Sequence, residues 1–72
     1  MRPGDLRRFG DELITETHGK RVQGRTFMVL DIYPLRDRDG ELVVSFLIDG
    51  RLEERWGIDW VARNSEALNE GR

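Results

Sequence analysis

Residues 25–56 read RTFMVLDIYPLRDRDGELVVSFLIDGRLEERW, and the two Asp-Gly steps in this stretch decide the fold. Asp39-Gly40 and Asp49-Gly50 each separate apolar, β-branched runs. That is the pattern of tight hairpin turns, whose central residues need positive φ. Three consecutive strands are expected. The first runs from Arg25 to Tyr33 and is closed by Pro34, which lacks a ladder N–H. The second runs from Glu41 to Asp49 and the third from Arg51 to Trp56. Strict alternation sets Met28, Leu30 and Ile32 on one face of the first strand and Phe27, Val29, Asp31 and Tyr33 on the other. In the second strand Leu42, Val44, Phe46 and Ile48 oppose Val43, Ser45, Leu47 and Asp49. Both faces are mostly apolar, so this strand is central, covered on both sides or covered by a partner on one. In the third, Leu52, Glu54 and Trp56 share a side.

Outward from the meander the signals are shorter. Residues 3–9, PGDLRRF, read as a turn into a short strand. Leu6, Phe9, Leu13 and Ile14 also fall near helical spacing, but Gly10 would cost such a helix about 1 kcal/mol relative to Ala. Leu13 to Thr17 is either a strand or part of a loop that continues to Gly24. After Gly57, Ile58 to Arg63 is a last strand or a helical turn, Ser65 to Leu68 a capped turn, and residues 69–72 an exposed tail. The expectation is a single all-β domain spanning residues 1–72.

At 72 residues the chain buries only about 60% of its unfolded surface, and it has no cysteine for a disulfide or a thiolate metal site. Contact with a partner is the remaining common reinforcement, so oligomerisation or assembly is expected. Twelve basic and 14 acidic residues give a net charge of −2, which argues against a chain whose main work is to neutralise phosphates. All the basic residues but Lys20 are arginine. GC-rich codon usage is the favoured account of that, with bidentate recognition of carboxylate or phosphate as the alternative. No apolar run reaches the ~18 residues of a membrane span, and no apolar core follows the N-terminal Met-Arg-Pro-Gly. A cytoplasmic site of synthesis is expected.

Catalytic chemistry fails residue by residue. His18 is the only histidine and stands beside Gly19 in a polar segment, the setting of a surface loop residue, without the further ligands a metal would need. Asp37-Arg38-Asp39-Gly40-Glu41 resembles part of a calcium loop. Aligning Gly40 with the loop glycine, however, puts Leu35 at the first ligand position and Phe46 where the bidentate Glu belongs. Ser45 and Ser65 lie in no nucleophile motif. Glu53 and Glu54 are neighbours on a strand, so they point to opposite faces, solvated or paired with Arg51 and Arg55. Gly19 and Gly24 make no phosphate loop. No enzyme, cofactor, metal or small-molecule substrate is expected.

The aromatic residues divide. Phe9, Phe27 and Phe46 read as core. Tyr33 borders a loop, and Trp56 and Trp60 flank Gly57, where they either close the end of the barrel or, with Arg55, form a protein-binding surface.

The order Pro3-Gly4-Asp5-Leu6, a Gly24-preceded apolar strand, Asp49-Gly50 and a terminal Ser65-Glu66-Ala67-Leu68-Asn69-Glu70 resembles small SH3-like barrel proteins encoded by tailed bacteriophages. It overlaps the barrels of KOW-type ribosomal and transcription-factor domains. Arg7-Arg8 after Leu6, the long Arg25 to Phe46 hairpin and the Asn-Glu-Gly-Arg tail depart from the phage pattern. The resemblance implies an SH3-like barrel acting as a virion-structural or accessory protein at a capsid or tail surface. It would be made in the host cytoplasm and work through protein contacts or self-assembly. A KOW-like role would instead use Arg7, Arg8, Lys20, Arg21 and Arg25 as a nucleic-acid patch. Inhibition of a host protein fits the size and acidity but has no motif.

Overall fold

The computed structural model describes residues 1–12 and 17–68, and within them not the side chains of Thr17, His18 and Arg38. The order along the chain is β1 (Leu6–Phe9), α1 (Thr17–Val22), β2 (Thr26–Leu35), a 3-10 turn (Arg36–Arg38), β3 (Glu41–Ile48), β4 (Arg51–Gly57), α2 (Ile58–Arg63) and β5 (Ser65–Ala67). The strands form one antiparallel sheet in the order β4-β3-β2-β1-β5. This is a small all-β, barrel-like fold built on the β2-β3-β4 meander, with a helical turn between β4 and β5.

The curl of the sheet follows from its core. Strands β1 and β4 are three ladder steps apart, about 14 Å in a flat sheet. Yet the Phe9 and Trp56 rings have centroids 6.4 Å apart, so the sheet wraps round. Phe9 stacks on Phe27 at 4.3 Å and meets Phe46 at 5.6 Å and Trp60 at 6.0 Å. Val22, Val29, Val44, Ile48 and Val61 complete the buried cluster.

The turns are those the composition demands. Asp49 (φ 51°) and Gly50 (φ 75°) are both left-handed, as a type I′ hairpin requires, and Asp39 (φ 54°) and Gly40 (φ 77°) close the 3-10 turn in the same region. At the N-terminus Pro3 and Gly4 occupy the centre of a β-turn closed by the Asp5 N–H on the Arg2 carbonyl at 3.1 Å.

Two bulges revise the expected faces. In β2 the register slips between Val29 and Asp31, so Leu30 and Asp31 together oppose Ser45. Ile32 therefore joins Phe27 and Val29 on the core side instead of Met28 and Leu30. In β4 the slip lies between Glu53 and Trp56, where Arg55 has φ 65°. Glu53 and Trp56 both face inward and Leu52 is left outside, so Leu52, Glu54 and Trp56 do not share a side.

Other boundaries also move. Pro34 does not end β2 but pairs with Leu42 inside it. The β1 ladder stops at Met28, so β2 is an edge strand by Pro34 and tolerates the missing donor. Ser65–Ala67 is a strand, not a capped turn, because it pairs with Arg7, Arg8 and Phe9. Thr17–Val22 is helical, which puts the His18 backbone in α1 and not in a loop. The expected strand from Leu13, up to residue 16, and the tail at 69–72 lie outside the described residues.

The bulge at Arg55 is testable. A β-branched residue tolerates left-handed φ poorly and glycine tolerates it freely, so Arg55→Val should lower stability by about 1–2 kcal/mol while Arg55→Gly leaves it within about 0.5 kcal/mol. Urea denaturation of both variants measures the difference.

Candidate functional site: the outer face of the sheet

The residue pairings align one apolar side chain from each of β1, β2, β3 and β4 on the outside of the barrel. Leu6 pairs with Met28, Met28 with Leu47, and Leu47 with Leu52. Leu68, whose N–H donates to the Leu6 carbonyl at 2.9 Å, continues the β5 register onto the other side of Leu6. The row thus reads Leu68, Leu6, Met28, Leu47, Leu52. Its four leucines are 47%, 42%, 39% and 56% exposed, and Met28 is half-buried. The adjacent row, Phe27 and Ile48 among it, points into the core. Leu30, at the β2 bulge, adds another exposed leucine on the strand that carries Met28. An antiparallel sheet facing water on one side ordinarily alternates apolar-in with polar-out, and this row breaks that rule across its whole width.

The polar groups near the barrel are largely satisfied from within the chain. Among the described residues no buried side-chain nitrogen or oxygen lacks a partner, and no three His, Cys, Asp or Glu residues gather as metal ligands. Glu53, 8% exposed, accepts from Arg21 Nη2 at 2.7 Å, Arg51 Nε at 3.4 Å and Trp56 Nε1 at 3.2 Å. Its ion-pair partners are thus Arg21 and Arg51. A polar groove of about 530 Å³ lies elsewhere, lined by Arg8, Asp11, Glu12, Arg63, Ser65 and Glu66 among others. It mixes both charge signs, and Arg8 and Asp11 are already paired across it at 3.1 Å.

The four aromatic and basic residues expected at a protein-binding surface are not brought together. Trp56 and Trp60 meet at 5.5 Å and pack, half-buried, against the core. Tyr33 pairs with Val43, whereas Trp56 pairs with the neighbouring Val44, so the tyrosine lies on the opposite sheet face. Arg55 is exposed at the bulge.

The five basic residues of the nucleic-acid alternative are mostly committed. Arg7 donates to Ser65 Oγ, the Ser65 carbonyl and the Ala62 carbonyl, serving the end of α2. Arg8 pairs with Asp11, Arg21 with Glu53 and Arg25 with Asp49. Lys20 is exposed on α1.

No family model, curated protein or solved structure gives a significant match to the chain.

Removing the Glu53 carboxylate leaves two guanidiniums and an indole N–H without their acceptor. Glu53→Ala should therefore cost about 1–3 kcal/mol in chemical denaturation, with a shift in tryptophan emission from Trp56. Unchanged stability and emission would show that the cluster contributes nothing.

Proposed function

We propose that the chain is a non-enzymatic protein-interaction module that lends its outer leucine row to a larger assembly. The observation that carries this reading is the continuous row from Leu68 to Leu52, apolar at each of its five positions, with its four leucines open to solvent. Single exposed leucines are ordinary, but a contiguous apolar band on a domain this small marks a contact surface. The small size supports the same reading, since a partner would supply burial that the chain's own core does not. The resemblance to barrels of tailed bacteriophages makes a virion, at its capsid or tail surface, the assembly in which this role is expected. Nucleic-acid binding is the weaker reading, because four of its five basic residues already hold partners within the chain.

Density-gradient sedimentation of assemblies from the cells that make the protein tests the role. The native chain should travel with a high-mass fraction. Leu47→Glu with Leu52→Glu should release it to the top of the gradient while circular dichroism and melting temperature stay near native values. A double variant that still co-sediments would overturn the leucine row as the surface. Salt-dependent binding of duplex DNA by the native chain at low ionic strength would favour the nucleic-acid role instead.

A further inference from the structure

Resting on the reading of the leucine row as a docking surface, we propose that its occupant is a second copy of this chain, packed face to face about a two-fold axis that runs along β2 through Met28. The row is a palindrome in space: Leu68, Leu6, Met28, Leu47, Leu52 reads the same from either edge of the sheet. A two-fold axis through its centre sets Met28 on Met28 of the second copy, Leu6 on Leu47 and Leu47 on Leu6. Isologous contact requires this kind of self-matching surface.

The charges beside the row match under the same operation. Two residues along from the row stand Arg8 on β1 and Thr26 on β2, and the turn residue Asp49 lies just past the end of β3. The rotation places Arg8 over Asp49 of the second copy, Asp49 over its Arg8, and Thr26 over Thr26. Arg8 and Asp49 keep about two-fifths of their side-chain surface exposed (41% and 39%), so both reach the rim. Unlike charges thus meet twice, and each is already balanced within its own chain by Asp11 or Arg25. On the other flank Leu30, 39% exposed, lies on the axial strand and meets its own copy. The neighbouring Asp31 also approaches its own copy; its Oδ1 accepts from the Ile32 N–H at 2.9 Å, which fixes the carboxylate but leaves its charge, and this like-charge approach weakens the contact.

Curvature limits the contact. The sheet curls round its core, so Leu68 and Leu52 bend away and the interface centres on Leu6, Met28, Leu30 and Leu47. An interface of that width falls in the small class, below about 1,200 Å² in total, and the dimer should dissociate in the micromolar range. Strands of the two copies run nearly aligned, with the sheets about 10 Å apart.

Sedimentation equilibrium of the purified full chain should show the mass rising from 8.4 kDa toward twice that value with concentration. Leu47→Glu should raise the dissociation constant at least tenfold. Geometry is read with single cysteines placed in this cysteine-free chain and a bismaleimide of about 10 Å reach, since facing sheets are too far apart for a direct disulfide. Met28→Cys should cross-link to itself and Leu52→Cys should not. A mixture of Leu6→Cys and Leu47→Cys should link more than either alone. A native chain that stays monomeric at millimolar concentration overturns the second copy as occupant. If it still travels with the high-mass assembly through the leucine row, the broader docking reading stands without it. A dimer in which Leu52→Cys links to itself as readily as Met28→Cys overturns the two-fold axis.

Discussion

Phe9 holds the molecule closed. Its ring stacks on Phe27 from the neighbouring strand and also meets Phe46, Trp56 and Trp60, which belong to β3, β4 and α2. A side chain at the end of a four-residue strand can touch all of these only if the sheet curls back on itself. Once the sheet curls, its strands cannot all keep a straight ladder, and a bulge lies at Leu30 in the inner strand β2 and another at Arg55 in the edge strand β4. The left-handed φ of Arg55 is the local strain that accompanies this curvature.

Each bulge moves one residue across the sheet, and the chemistry of the two faces follows. The slip in β4 brings the Glu53 carboxylate to the same side as the Trp56 indole, close enough for Nε1 to donate to Oε1. Arg21 from α1 and Arg51 from the start of β4 then complete the carboxylate's partners. A charge that would be costly alone on the core side is thereby held, and it ties α1 to the edge of the sheet. Without the slip, odd spacing would put Glu53 and Trp56 on opposite faces.

The meander was legible in the sequence because its two turns are chemical: Asp49-Gly50 can adopt paired left-handed angles cheaply, and β-branched and aromatic runs flank it. The bulges were not legible, since Leu30 and Arg55 carry no local mark of an extra residue and strict alternation was the simplest pattern to apply. Strict alternation groups Ile32 with Met28 and Leu30, and Trp56 with Leu52 and Glu54, and the two slips undo both groupings. Pro34 misled for a different reason, because the point where β1 stops pairing with β2 depends on tertiary packing. The tryptophans beside Gly57 leave two readings open in the sequence, closing the end of the barrel or forming a binding surface, and their rings pack against Phe9 and Phe46 as the first reading has it. The outer row did leave a trace in the two-sided apolarity of Glu41 to Asp49. Its extent became visible only when register aligned Leu47 with residues from four other segments.

The exposed row and the buried cluster are connected through burial. The buried cluster holds three phenylalanines, four valines and Ile48, and both tryptophans pack against it, while the leucines of the row stand on the other face. Their location is then set by register, and register is fixed by the inner face, because a one-residue slip would expose Phe27 and Ile48. The leucines are therefore held in a defined row by forces that act on their neighbours. A surface of this kind does not need ordering when it meets a partner, since its backbone is already fixed in the ladder. The entropic cost of association is lower than for a loop-borne surface of the same composition. The proposed docking of the row would draw on that advantage, and the fold supplies it through the same aromatic centre that curls the sheet.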